Sequence, residues 1–93
     1  MALIDDVKNE LRVSGADFDN EIQGLIDAVK LEMKSKGLDE TKINNDDALV
    51  RQAIILYCKA NFGWDNPEAE RFQNRYEMTL NHMLLSGEYE VTA

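Results

Sequence analysis

From Ala53 to Cys58 the chain runs through six apolar residues without a break, Ala-Ile-Ile-Leu-Tyr-Cys. Taken alone, such a run suits a buried strand as well as a buried helix, because periodicity cannot separate the two over so short a window. The flanking ALVRQ and KANF carry the apolar pattern past a dozen residues, which is helix length, and Arg51, Gln52 and Lys59 are its only polar interior positions. A helix apolar almost all round has to be covered on more than one side. The expected helix starts at Asp46 or Asp47, whose carboxylate can cap it, and ends near Phe62, before Gly63.

Three further helices are expected around it. Leu3, Val7 and Leu11 recur at four-residue spacing and share a face over about Ala2 to Arg12, with Asp5 and Asp6 near the positive end of the dipole. The segment VSGAD breaks this helix, with Gly15 as the permissive residue. Phe18, Ile22, Leu25, Ile26, Val29 and Met33 form an apolar stripe from about Phe18 to Lys36, capped by Asp17 and stopped by Gly37. Leu38 to Asp46 (LDETKINND) has turn composition throughout. Asn66 as cap, Pro67 in the first turn and Glu68 and Glu70 behind it start a last helix, lined by Ala69, Phe72, Tyr76, Leu80 and Met83 and ended by Gly87. The expected architecture is a small single all-α domain of about four helices over residues 1–87. An extended C-terminal tail, residues 88–93, follows it.

At 93 residues one domain is all the chain supports, and it buries roughly 60–70% of its unfolded surface. Eighteen acids against ten bases leave a formal charge of −8, with 12 acids and 6 bases before Ala48. Such a field repels nucleic-acid phosphates and argues against a DNA-binding helix-turn-helix regulator. The lone Cys58 excludes an internal disulfide framework. The opening MALIDDVKNELRV has no basic stretch followed by a continuous apolar one, and no apolar run approaches the ~20 residues of a membrane span. A reducing, aqueous compartment such as cytoplasm is expected, with no membrane association.

No constellation of residues supports catalysis. His82 is the only histidine, without a nucleophile or an orienting partner, and it makes no zinc site of the usual kind. On the helical wheel it falls beside Met78, Thr79 and Leu85, which suits a surface or interface residue. Cys58 lies inside the apolar helix, where thiols behave as small inert hydrophobes. The acidic stretch around Asp39-Glu40 and Asn44 to Asp47 lacks the alternating oxygens, central Gly and terminal Glu of an EF-hand loop. The glycines are scattered singly, so none forms a phosphate-cradling loop. No enzyme activity, metal or cofactor is expected.

What stands out instead is apolar surplus. Val50, Ile54, Ile55, Leu56, Tyr57 and Phe62 exceed what one face of one helix needs, and Trp64 and the methionines add adaptable contact surface. Ordinary core and a protein–protein interface both account for this surplus. Arg71 and Arg75, one turn apart and close to Glu68, suit intrahelical or intersubunit pairing better than a nucleic-acid patch. Val50, Ile54, Tyr57, Trp64, Arg71 and Arg75 are therefore the candidate subunit-interface residues.

Four segments in order, LIDDVKNELRV, DFDNEIQGLIDAV, DDALVRQAIILYCKANFGW and RFQNRYEMTLNHML, span most of the chain. In this order and spacing it resembles the head–tail connector (adaptor, or DNA-packaging) proteins of long-tailed bacteriophages and their prophages. The resemblance implies a non-enzymatic all-α virion subunit that assembles as a homo-oligomeric ring beneath the portal. The ring would extend the DNA channel without specific DNA binding and offer a docking surface to the next head-closure or tail protein. It further implies that the C-terminal segment, here Glu88, Tyr89, Glu90, Val91, Thr92 and Ala93, grips the portal protein. The implied location is the head–tail junction of the virion, and the host cytoplasm during assembly. The other reading is a small helical regulator that binds a host or phage protein without forming a ring.

Overall fold

The computed structural model describes residues 3–44, 47–63 and 66–86. Among them are five helices, α1 (Leu3–Leu11), α2 (Asp19–Ser35), α3 (Glu40–Asn44), α4 (Ala48–Asn61) and α5 (Ala69–Ser86). The all-α architecture is as expected, with one short helix more than the sequence pattern indicates.

The apolar helix is the hub. α1, α2 and α5 all pack on α4, and α5 does so most extensively. Val50, Ala53, Ile54, Leu56 and Cys58 of α4 are buried on its several sides. Against them α2 sets Ile22, Ile26, Val29 and Met33, and α5 sets Tyr76, Leu80 and Met83. These are the stripe positions the helical spacing picked out. α1 buries only Val7 completely. Half-buried Leu3, Ile4 and Leu11 pack against the same core, and ion pairs add to the docking, Lys8 to Asp19 at 2.7 Å, Asp6 to Arg51 at 3.1 Å and Glu10 to Lys59 at 3.1 Å.

The helix ends explain the boundaries. Asp47 caps α4, its Oδ1 accepting from the Leu49 N–H at 3.0 Å and the Val50 N–H at 3.4 Å. Asn66 Oδ1 accepts from the Glu68 N–H at 3.0 Å, while its amide donates to the Lys59 carbonyl at 2.6 Å, which ties the start of α5 to the end of α4. Gly37 closes α2 at φ +103°. The Leu38 N–H reaches back to the Met33 carbonyl and the Gly37 N–H to Lys34, both at 3.1 Å, the paired bonds of a Schellman motif. Buried Leu38 and Met33 supply the apolar contact that accompanies it.

Three local expectations are revised. Asp17 does not cap α2. The helix begins at Asp19 after Phe18, which makes no side-chain cap bond, and Phe18 instead stands edge-on to Phe62 at 5.5 Å between ring centroids. α1 ends at Leu11, close to the expected boundary, and Gly15 takes a positive φ of 84°, but the left-handed residue that follows the helix directly is Arg12. Arg12 sits at φ 59°, with the Val13 N–H on the Lys8 carbonyl at 3.0 Å and its own N–H directed to Asn9 at 3.2 Å. The LDETKINND connection is not turn throughout. Asp39 Oδ1 accepts from the Thr41 N–H at 2.9 Å and starts α3, and burial of Leu38 and Ile43 holds that turn of helix on α2.

Candidate assembly surface

A docking protein works through what its core leaves outside, so the candidate residues divide by burial. Val50 and Ile54 are each 1% exposed. The apolar surplus of α4 is consumed at these two positions by the subunit's own core, and a neighbour could reach them only if that core opened. Tyr57 is half-buried, its ring edge-on to that of Tyr76 with centroids 5.3 Å apart. Burial, then the nearby Glu32 carboxylate, then the Cys58 sulfur raise the Tyr57 phenol above its ordinary pKa. Trp64 and residues 88–93 lie outside the described residues.

Arg71 and Arg75 are exposed on α5. Arg71 pairs at 3.3 Å with Glu68, the residue just before α5, and lies over the Phe72 ring at 5.3 Å from its centroid. This is a local pairing three residues apart, of the kind expected for Arg71. Arg75 differs, for no ion pair engages it among the described residues. It stands where two surface depressions meet between α4 and α5, both lined by Gln52, Leu56 and Arg75. One continues to Lys59 and Phe72, the other to Met78 and Thr79.

Among the described residues the large apolar side chains that remain exposed are Phe18 at 47%, Leu31 at 69%, Met78 at 71% and Leu85 at 88%. Phe18 already has Phe62 as a partner. Leu31 lies on the outer side of α2, and Met78 and Leu85 lie on the outer side of α5 with exposed His82 between them. Leu31 and Leu85 were not among the sequence candidates. Their signal was a wheel position off the core stripe, which is visible only once the stripe's true partner face is known.

The remaining chemistry-bearing groups are quiet. Burial pushes the Cys58 thiol up to about 12, so at neutral pH it is neither a nucleophile nor a ligand. No group of three or more His, Cys, Asp or Glu side chains among the described residues could hold a metal ion. No helix among them is long and apolar enough to cross a membrane.

Comparison with curated proteins and with solved structures returned no match. The family model described as phage connector protein matches residues 3–90, which takes in all five helices. An all-α domain built round a central apolar helix agrees with that match, and the chain belongs to the phage connector protein family.

Proposed function

We propose that this phage structural protein is a head–tail adaptor that assembles as a ring under the portal, prolongs the DNA channel and receives the next head-closure or tail protein. The observation that carries the reading is the family match over residues 3–90, which reaches into the C-terminal segment as well as the helical domain. The charge of −8 supports a channel role, because a surface poor in Lys and Arg does not hold phosphates and lets DNA slide. Residues 88–93 are proposed to grip the portal, and in their sequence Glu-Tyr-Glu-Val-Thr-Ala the apolar Tyr89, Val91 and Ala93 alternate with polar residues, the spacing that lines one side of a strand. The working location is the head–tail junction, reached from the host cytoplasm during assembly.

Deletion of Glu88–Ala93 tests the docking. The expected result is an unchanged helical circular dichroism spectrum together with loss of binding to purified portal protein. Normal portal binding by the truncated chain would remove the tail from the mechanism. An affinity pull-down from phage-producing cells tests the wider reading. Portal and capsid proteins should co-purify; a cellular enzyme or transcription factor, recovered with no virion protein, would put a regulator in the adaptor's place.

A further inference from the structure

The outer faces of α2 and α5 carry the same residue spacing with complementary chemistry. On α5 the exposed positions Arg71, Arg75, Met78, His82 and Leu85 step by four, three, four and three residues, the spacing of a heptad seam. The exposed positions Glu21, Gly24, Ala28 and Leu31 on α2 step by three, four and three. A constant offset of 54 residues superposes the two seams. It sets Glu21 opposite Arg75, Gly24 opposite Met78, Ala28 opposite His82 and Leu31 opposite Leu85. One more step back sets Asp17, in the turn before α2, opposite Arg71.

We infer that adjacent subunits meet by packing the outer face of α2 of one copy, parallel and in register, on the outer face of α5 of the next. The inference rests on the ring reading and adds the faces that close it. Charge agrees with this occupant, since Arg75 is the guanidinium of α5 without an ion pair among the described residues, as Arg12 is at the end of α1, and Glu21 on the α2 seam is an exposed carboxylate in the same situation. Shape agrees with charge. Nothing lies within 4 Å of where a Cβ on Gly24 would stand, so the Met78 side chain finds an open hole there. Leu31, Met78 and Leu85, the exposed large apolar residues with no aromatic partner, are all buried by this one contact.

The seams do not pair with themselves. α5 against α5 sets Arg75 on Arg75 when parallel and close to His82 when antiparallel, so a two-fold contact is disfavoured. α2 and α5 both pack on α4 and touch each other far less, so a single copy presents both seams at once. When each copy offers its α2 seam to one neighbour and its α5 seam to another, the contact is heterologous and propagates until rotation closes it, which is what a ring requires.

Paired cysteines test the faces directly. Leu31 and Leu85 are exposed, so Leu31→Cys and Leu85→Cys leave the core intact, and the native thiol of Cys58 is buried. In the doubly substituted chain bound to portal-bearing heads of the source phage, mild oxidation should give a ladder of disulfide-linked multimers. Either single variant should stay monomeric on a non-reducing gel. Arg75→Glu should weaken assembly roughly tenfold or more by setting two carboxylates together, and Glu21→Arg added to it should restore assembly. A disulfide dimer from either single variant would mean a two-fold contact and overturn the proposal. A doubly substituted chain that stopped at a disulfide dimer would mean a reciprocal two-fold pairing and overturn it too. Rings visible by electron microscopy without a ladder would overturn these faces while leaving the ring reading standing. If the unmodified chain forms no ring on the portal, both fall together.

Discussion

Ile54 separates core from interface. Truncation to Ala in Ile54→Ala removes Cγ1, Cγ2 and Cδ1 from a side chain that is 1% exposed and enclosed in the cluster shared by α2, α4 and α5. At about 0.8 kcal/mol per buried carbon the transfer loss is roughly 2.4 kcal/mol. The cavity left behind raises the expected cost to about 3–4 kcal/mol, inside the ~2–5 kcal/mol range for such truncations. A 93-residue domain has roughly 5–14 kcal/mol in total, so a quarter or more of its stability is at stake. The assay is urea unfolding followed by circular dichroism at a concentration where the protein is dispersed, with Leu85→Ala as the surface control. Leu85 is 88% exposed, and its truncation should move stability by less than about 0.5 kcal/mol. In a thermal scan Ile54→Ala should melt roughly 12–32 °C lower. A variant of unchanged stability in dilute solution that failed to assemble would refute the reasoning, because Ile54 would then be doing its work between subunits.

Two predictions concern helix ends and titration. Arg12 holds φ 59° at the end of α1, a region that costs a side-chain-bearing residue roughly 1–2 kcal/mol, so Arg12→Gly should raise the melting temperature; a lower one would show that the Arg12 side chain stabilises this end by more than its strain. The Cys58 thiol, ordinarily 9.0, is pushed up to about 12 by burial, and burial and Glu32 raise the Tyr76 phenol above its ordinary 10.0. Folded values above unfolded ones mean stability fully present below pH 9 and lost as pH rises past it, because the unfolded chain releases protons that the folded one keeps. Cys58 alone should cost about 1 kcal/mol between pH 9 and pH 10. The urea midpoint measured across that interval should fall, and a midpoint equal to that at neutrality would contradict the burial of these groups.

Much of the fold was legible because helix periodicity and capping are local. The α2 and α5 stripes, the Asp47 cap, the Gly37 stop and the demand that α4 be covered on several sides all follow from residues within a few positions of one another. The end of α1 near Arg12 was legible but the left-handed conformation of Arg12 was not, because arginine carries no signal for what Gly15, three residues on, advertises plainly. α3 was hidden for a related reason. LDETKINND reads as turn by composition, and only burial of Leu38 and Ile43 against the other helices makes one short helical turn worth forming.

Helix type, charge and motif order belong to the sequence alone, and with them the all-α class, the acidic field and the resemblance to phage connectors. The division of apolar residues between core and surface belongs to the tertiary structure. A run such as Ala53–Cys58 announces that it will be covered, but by what depends on which other faces arrive. Here α1, α2 and α5 close round Val50 and Ile54, and the side chains left bare are Leu31, Met78 and Leu85 on the two helices that flank α4. Burial is a property of three elements meeting, and no single stretch of chain records it.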